Sequence, residues 1–335
     1  MVPAGRPVGS VASAGMNPLR ELFGRRPQPR RTVFVLSGGG NMGALQVGML
    51  RALLERRIRP DLVLGCSVGA LNGAALAAEP TLAMVGRLQD VWLDLEDKGV
   101  LPGGLLPTTV QLARRGQSVH GNAALRRVIE GILEPRTFAE LVVPFQCVAT
   151  AIADAREVWF SEGGLVDAIL ASAALPAVLP PVEIDGVRYM DGAVVNDVPM
   201  SRAIELGGTT VYVLHTGTFD RPRPEPRRPF DMALHAYWIA RRARFRRDLA
   251  ALPPDVTVVL LPTGQPPVLR YNDLSKSDAL IDLAYRATAD ELDRRAGRSA
   301  FEPAPLVADP VGGGTPPITE VAVPLDGRDR SSPVE

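Results

Sequence analysis

Ser67 lies in the sequence "GCSVG", between an apolar segment typical of a strand and an apolar segment typical of a helix. This is the setting of a nucleophilic serine, because a tight strand–turn–helix lifts the hydroxyl clear of the sheet. Gly65 and Gly69 occupy the flanking positions, where such a turn leaves no room for side chains. The N-terminus of the following helix also favours negative charge that develops beside the serine. The pattern therefore predicts a nucleophile at Ser67, with a packing turn of small residues as the alternative.

A nucleophilic serine needs a general base, and Asp191 in "YMDGAVVND" is the candidate. Asp191 ends an apolar hairpin strand and is followed by Gly192, so a simple turn residue is the alternative. The carboxylate could accept the serine proton directly, or it could orient His215 or His235 in the chain order of a Ser–Asp–His triad. No motif surrounds either histidine, and a packing or surface role is favoured for both. Cys66, beside the serine, is predicted to be a buried structural cysteine.

The glycines of "VLSGGGNMGALQVG" match the spacing G-x-G-x-x-G of a phosphate-binding loop at Gly38, Gly40 and Gly43. A dinucleotide-binding unit also needs an acidic residue near the end of its second strand. The candidate, Asp61, precedes the second strand, which instead runs into the serine turn. Bare amides of this kind can equally stabilise the oxyanion of an acyl-transfer intermediate. We therefore assign the loop to an oxyanion hole and predict no nucleotide or other cofactor.

Short apolar strands alternate with helices over residues 31–300, which predicts a largely parallel sheet covered by helices on both faces. The predicted strands are "TVFVLSG", "PDLVLGCS", "PFQCVATAI", "EVWFS", "TTVYVLHTG" and "VTVVLLP", and "EIDGVRYMDGA" is a hairpin that turns at Asp185–Gly186. The predicted helices are residues 43–57, "VGALNGAALAA", "NAALRRVIEGIL", "VDAILASAAL", residues 229–252 and "SDALIDLAYRATADELDRRA". We predict one α/β domain over 31–300, with disordered Pro/Gly-rich tails at 1–30 and 301–335.

Four blocks of the chain together resemble the patatin-like phospholipase family over most of residues 31–295. They are "GGGNMG" (38–43), "GCSVG" running into "ALNGA", "ASAALPAVLPPV" (171–182) and "DGAVVNDVP" (191–199). The resemblance implies a three-layer α/β/α sandwich with a mainly parallel central sheet, related to the catalytic core of cytosolic phospholipase A2. It also implies a Ser–Asp dyad without a histidine, in which Ser67 is the nucleophile and Asp191 the general base.

Backbone amides of the glycine loop take the oxyanion role in this resemblance. Gly38, Gly39 and Gly40 line the oxyanion hole, and we group Gly43 and Val68 with them.

The resemblance gives supporting roles to residues around the dyad. Ser172 and Pro176, in the "ASAALP" block, would shape the wall of the site. Asn196 would brace the turn after the aspartate, and the glycines that flank the serine support the motif together with Gly192. One departure concerns charge: where the family usually has Arg or Lys before the last glycine of the first block, this chain has Met42. The missing cation leaves the rate and the preference for anionic substrates open.

These features together predict a serine lipid acyl hydrolase of the phospholipase A or lysophospholipase type. Two alternatives stay open: a broad carboxylesterase or neutral-lipid lipase, and a catalytically impaired lipid-binding module. A formal net charge of zero gives no field that would attract nucleic acid. Two cysteines and three histidines make neither a disulfide framework nor a metal site, and a cytoplasmic location is the simplest expectation. The sequence carries no signal for an oligomeric state.

Contact with a membrane is considered for two segments. The helix at 229–252 carries one apolar stripe among many arginines, which is typical of a packing face and also of a helix lying on a membrane surface; the stripe comprises Leu234, Trp238, Phe245, Leu249 and Leu252. Packing is favoured, with transient lipid contact as the alternative. The apolar loop at 99–110 is either an acyl-chain entrance or lid, or a packed loop. The uncharged runs at 32–50 and 62–78 are broken by Gly, Ser and Asn, so no membrane span is predicted.

Overall fold

Parallel strands form the centre of the protein. The computed structural model describes residues 30–95, 121–217, 226, 229–267, 269 and 273–297. Within these residues the strands are β1 Thr32–Leu36, β2 Leu62–Cys66, β3 Phe145–Ala151, β4 Glu157–Phe160, β5 Val182–Ile184, β6 Val187–Asp191, β7 Thr210–Leu214 and β8 Thr257–Leu260. Their order in the sheet is β5-β6-β3-β2-β1-β7-β8, with β4 paired to β3 off this path. Strands β3, β2, β1, β7 and β8 are mutually parallel, while β4 and β6 run antiparallel to β3.

The α-helices of the described residues are α1 Ala44–Glu55, α2 Val68–Ala78, α3 Leu82–Asp94, α4 Ala123–Ile132, α5 Leu165–Ser172, α6 Met200–Glu205, α7 Pro229–Ala250 and α8 Ser277–Gly297. Helices α3 and α6 were not predicted from the sequence. Helix α3 begins after Thr81, whose side chain accepts a hydrogen bond from the Met84 amide at 3.3 Å. The buried residues of α3 follow helical spacing, and they are Met84, Val85, Leu88 and Trp92. The apolar pattern of the sequence therefore does indicate this helix.

Strand β1 illustrates why the central strands are apolar on both faces. Val33 and Val35 pack in a cluster with residues of α6 and α7, whereas Phe34 and Leu36 pack in a second cluster with residues of α1 to α5 and α8. Successive side chains of a strand point to opposite faces, so helices cover both faces of the sheet. The predicted fold class, a three-layer α/β/α sandwich with a mainly parallel sheet, is confirmed.

The predicted hairpin is also confirmed. Strands β5 and β6 pair antiparallel, and the turn between them lies at Asp185 (φ 51°) and Gly186 (φ 76°). Two consecutive positive φ values are typical of the two-residue hairpin turn that Asp-Gly favours. The second strand of the hairpin ends at Asp191.

The apolar stripe of α7 is a packing face where the structure describes it. Trp238, Phe245 and Leu249 are buried, Leu252 packs against the cluster on the α6–α7 side of the sheet, and the side chain of Leu234 lies outside the described residues. No described helix is both long enough and apolar enough to cross a bilayer. The loop at 99–110 and the two predicted tails, apart from Arg30, also lie outside the described residues, and the domain boundaries stay predictions.

Candidate active site

Ser67 lies on the turn between β2 and α2 in a strained backbone conformation. Its φ of 54° and ψ of −122° are rare for a residue with a side chain. The flanking glycines make this turn sterically feasible. A Cβ atom on Gly65 would lie 2.5 Å from the Gly69 carbonyl oxygen, and one on Gly69 would lie 2.3 Å from that of Leu36. The predicted strand–turn–helix geometry is therefore present around the serine.

Asp191 lies directly beside the serine hydroxyl. Ser67 Oγ donates a hydrogen bond of 2.6 Å to Asp191 Oδ2, although the two residues are 124 positions apart. The sheet creates this contact, because β3 pairs with β2 on one side and places Ala149 opposite Asp191 of β6 on the other. Gly192 allows the backbone after Asp191 to lie close to β3, since a Cβ atom on this glycine would lie 2.2 Å from the Val148 carbonyl oxygen.

The carboxyl group of Asp191 is almost completely buried, with 1% of the residue exposed. Burial disfavours the charged form and raises the pKa of Asp191 from 3.8 to about 6, while hydrogen bonds from Ser67 and from the Ala193 amide oppose that rise. The pKa is high enough to make Asp191 a better proton acceptor than an ordinary carboxylate. It is still low enough to keep the group ionised at neutral pH.

Neither histidine takes part in the Ser–Asp contact. Within the described residues, Asp191 accepts hydrogen bonds from Ser67, from the Ala193 amide at 2.8 Å, and from the Cys66 thiol at a sulfur–oxygen distance of 4.0 Å. His215 Nδ1 accepts a bond from the Gly217 amide, and the His235 ring packs against Trp238. Cys66 is fully buried as predicted, and its burial beside Asp191 raises the pKa of the thiol.

The block at 171–176 positions the backbone of both partners. Ser172 Oγ accepts a 2.9 Å hydrogen bond from the Ser67 amide, and the Asp191 amide donates one of 2.9 Å to the Ala174 carbonyl. Ser172 therefore lies behind the serine turn, where it holds the backbone of Ser67. Pro176 is exposed, and the wall of the site is formed instead by its neighbours Ala173 and Leu175.

The glycine loop is held in place at Gly38. The Gly38 amide donates to the Asp197 carbonyl at 3.2 Å, so this predicted oxyanion donor already has an acceptor inside the protein. The Gly38 carbonyl accepts bonds of 2.9 Å from the hydroxyls of Ser37 and Thr216. A Cβ atom on Gly39 would lie 2.3 Å from Thr216, so the loop fits closely against its neighbours.

Three other predicted donors remain accessible for a ligand. In the described part of the chain, the amides of Gly39, Gly40 and Val68 have no hydrogen-bond acceptor. All three residues line the same cavity as Ser67. Gly43 has a different position: a Cβ atom on it would lie 2.4 Å from the Val68 side chain, so this glycine permits close packing.

A buried polar network, which was not predicted from the sequence, supports the backbone next to the glycine loop. Gln46 Nε2 donates to the carbonyls of Ser37 (2.8 Å) and Leu214 (3.0 Å). Asn72 Nδ2 donates to Gln46 Oε1 at 2.9 Å, and Asn72 Oδ1 accepts from the Trp92 indole at 3.1 Å. The available signal was a polar side chain inside an apolar stretch of a helix, Gln46 in "ALQVGML" and Asn72 in "VGALNGAALAA". Asn196 extends such support on the other side of the site, where Nδ2 donates to Glu157 at 2.9 Å.

Arg241 is a second feature that the sequence analysis missed. It extends from α7 to the site, where its Nη2 lies 2.5 Å from Asp197 Oδ1 and its side chain is only 12% exposed. Nothing in the sequence distinguishes this arginine from the others of the same basic helix. Met42, which replaces the family's usual cation, packs half-buried against the hydrophobic core.

A cavity of about 280 Å³ connects these groups. Its polar end contains Ser67, Asp191, Gly39, Gly40 and Arg241. The remaining wall is mainly apolar and is drawn from several helices, with Leu71, Trp92, Val128, Ile169, Leu179 and Trp238 among its members. An apolar cavity with polar groups at one end suits a ligand that has a hydrocarbon part and one reactive polar group. Among the described residues, no group of His, Cys, Asp and Glu side chains could hold a metal ion.

A profile of the patatin-like phospholipase family matches residues 34–204, which include both Ser67 and Asp191. The chain therefore belongs to the patatin-like phospholipase family.

Two curated relatives and one solved structure illustrate the similarity. Patatin-like phospholipase domain-containing protein 7 of Rattus norvegicus is 30% identical over 188 residues, which cover 56% of this chain and 14% of the relative. Lysophospholipase NTE1 of Mycosarcoma maydis is 27% identical over 213 residues, which cover 61% of this chain and 10% of the relative. The crystal structure of VipD from Legionella pneumophila matches with a TM-score of 0.44 and 14% identity, over 79% of this chain and 67% of that one. The chain thus spans only a small part of the length of either curated relative.

Proposed function

We propose that this protein is a serine lipid acyl hydrolase of the phospholipase A or lysophospholipase type, with Ser67 and Asp191 as its catalytic dyad. The observation that carries the proposal is the 2.6 Å hydrogen bond from the strained serine to a buried carboxylate at the polar end of an apolar cavity. Membership of the family and the name of the lysophospholipase relative support a lipid ester as the substrate.

The reaction begins when Ser67 Oγ attacks the ester carbonyl carbon and Asp191 accepts the hydroxyl proton. The electron pair of the carbonyl bond moves onto its oxygen, and the amides of Gly39, Gly40 and Val68 donate to this oxyanion. Loss of one such donor typically costs about 3 kcal/mol of transition-state stabilisation. We omit the Gly38 amide from the donors because it already bonds to Asp197.

Collapse of the tetrahedral intermediate breaks the ester bond, and the departing alcohol takes the proton from Asp191. Water then attacks the acyl-serine while Asp191 accepts its proton. A second collapse releases the fatty acid and returns the proton to Ser67 Oγ. One carboxylate therefore accepts and returns a proton twice in each cycle, for which a pKa of about 6 is suitable.

The apolar part of the cavity is where we place the acyl chain, with the ester at the polar end. A lipid of this kind would be reached by transient contact with a membrane surface, and the cytoplasmic location stays a prediction. A broad carboxylesterase or neutral-lipid lipase remains the second candidate, because the same cavity would accept the acyl chain of any such ester.

Labelling with a fluorophosphonate probe tests the dyad, because the probe reacts with an activated serine that is served by an oxyanion hole. We expect the wild type to label, and Ser67→Ala and Asp191→Asn to lose labelling. Ser161→Ala, at an exposed serine, is the matched control and should label like the wild type. A folded wild type that stays unlabelled would overturn the enzyme proposal and favour the lipid-binding module.

A substrate panel tests the lipid class. We expect release of fatty acid from phosphatidylcholine vesicles or lysophosphatidylcholine micelles to exceed that from triacylglycerol and from p-nitrophenyl butyrate at equal ester concentration. Preference for the last two substrates would replace the phospholipase proposal with the esterase or neutral-lipid lipase.

A further inference from the structure

Helix α7 reaches the site through two arginines that hold the segment following Asp191. Arg241 forms the ion pair with Asp197, whose side chain is 3% exposed. Arg244, one helical turn later, donates from Nη1 to the Val195 carbonyl at 3.2 Å. The segment at 195–197 is therefore fixed by α7 at two points.

This segment in turn holds the glycine loop. The Asp197 carbonyl accepts the Gly38 amide, and Asp197 Oδ1 lies only 2.5 Å from the point where a Cβ atom on Gly38 would stand. A displacement of Asp197 would consequently displace Gly38. Since Gly39 and Gly40 follow directly, the direction of their amides depends on the contact between Arg241 and Asp197.

The same ion pair places two opposite charges near the proposed base. In the described part of the chain, the titratable groups that act on Asp191 are Cys66, Asp197, Tyr237 and Arg241. Burial raises the pKa of both Cys66 and Tyr237, so these two are neutral at pH 7. The positive charge of Arg241 lowers the pKa of Asp191, and the negative charge of Asp197 raises it.

We propose that Arg241 is a positioning residue of this site, which holds the glycine loop through its ion pair with Asp197 and brings a positive charge into the cavity that Asp191 also lines. The inference rests on the proposed function, because it gives Arg241 a role in the hydrolysis at Ser67. It also explains how a chain with Met42 in the first glycine block has a cation at its active site. The positive charge comes from α7, at a position about 200 residues further along the sequence.

Because Arg241 and Asp197 carry opposite charges, we expect their neutral variants to shift the titration midpoint of Asp191 in opposite directions. Arg241→Gln removes a positive charge, so the titration midpoint of Asp191 should rise by about 0.5 pH unit or more. Asp197→Asn removes a negative charge, so the midpoint should fall. The double variant should lie between the two. If the ion pair only supported the fold, both single variants would break the same contact and shift the midpoint in the same direction.

The measurement is a pH titration of the side-chain carboxyl carbons by NMR, in full-length protein labelled with 13C-aspartate. The signal of Asp191 is identified by its loss in Asp191→Asn. Arg246→Gln, an exposed arginine on the same helix, is the matched control and should leave the midpoint unchanged. Equal-sign shifts, or no shift in either single variant, would overturn the electrostatic part of the inference.

The positioning role has its own readout, the rate of fluorophosphonate labelling at a pH where Asp191 is ionised in every variant. Arg241→Lys keeps the charge but loses the planar fork, so it should keep the Asp191 midpoint near that of the wild type and label about tenfold more slowly or worse. The double variant Arg241→Gln/Asp197→Asn removes both buried charges together. It is expected to fold even where a single variant does not. Wild-type labelling rates in Arg241→Lys and in the double variant would overturn the positioning role.

The two readouts separate this inference from the proposed function. Opposite NMR shifts in a protein that never labels would retain the charge assignment and refute the hydrolase. A wild type that labels, with variants that shift equally, would retain the hydrolase and refute the inference.

Discussion

The carboxyl group of Asp191 is almost completely buried, yet its ionised form is the one that can accept a proton from Ser67. Burial raises the pKa of Asp191 from 3.8 to about 6. Between these two values the folded protein binds a proton that the unfolded chain has already released. Stability therefore falls as the pH rises through this window and stays low above it.

This linkage predicts that Asp191→Asn is stabilised relative to the wild type at high pH. The asparagine has no charge to bury, and it can still accept from the Ala193 amide and donate to Ser67 Oγ. We subtract the unfolding free energy of the wild type from that of the variant. This difference should be about 2 to 3 kcal/mol larger at pH 8 than at pH 4. Urea unfolding of both proteins at the two pH values measures this difference.

Asp255→Asn, which replaces an exposed aspartate, is the matched control variant. A difference at Asp191 that stays constant between pH 4 and pH 8 would mean that burial does not raise the pKa of this carboxyl group. The role of Asp191 as a base of enhanced strength would then lose its physical support.

At the scale of elements, two glycines in helices show that close packing and helix propensity can have opposite effects on stability. Gly48 lies in α1 where α8 crosses it, and a Cβ atom there would lie 2.1 Å from the Ile281 carbonyl oxygen. Gly86 lies in α3 with no atom within 4 Å of its own hypothetical Cβ. The two glycines look alike in the sequence, because each lies inside a helix directly after a valine.

The same substitution should consequently have opposite effects at these two positions. Gly86→Ala should raise the free energy of unfolding by about 0.5 to 1 kcal/mol, because alanine loses less backbone entropy on folding. Gly48→Ala should lower it by about 1 to 3 kcal/mol, because α1 and α8 must move apart. Thermal or urea unfolding measures both values, and a stabilised Gly48→Ala would contradict the tight crossing of these helices.

Elements that are specified by local sequence were predictable, whereas contacts between distant elements were not, apart from the Ser67–Asp191 contact that the family resemblance implied. The apolar strands, the turn at Asp185–Gly186 and the serine turn each have a short signature, and all three are present. The contact between Arg241 and Asp197 depends on how α7 crosses the carboxyl side of the sheet, which no local pattern encodes. Gly38 was grouped with the oxyanion donors for the same reason, since its acceptor lies 159 positions away in the sequence.

At the scale of the whole molecule, the cavity is a product of the helical layer on one side of the sheet together with α7. Ser67 and Asp191 come from the sheet edge, whereas α2, α3, α4 and α5 supply much of the apolar wall. The sheet therefore fixes the positions of Ser67 and Asp191, and the helices can vary the space beside them. Trp92 of α3 contributes a large side chain to this wall, and its indole donates a hydrogen bond to Asn72.

Replacing Trp92 should accordingly change which substrates are accepted while leaving the dyad in place. Trp92→Ala removes a large ring from the wall, so the ratio of kcat/KM for a long-chain over a short-chain p-nitrophenyl ester should rise. The substitution also costs about 3 to 5 kcal/mol of stability, because a buried aromatic side chain is lost. Leu93→Ala, at the neighbouring position that is 44% exposed, should change neither the ratio nor the stability appreciably. A folded Trp92→Ala protein with an unchanged ratio would place the acyl chain elsewhere, because enlarging a cavity that holds the chain must alter the preference for chain length.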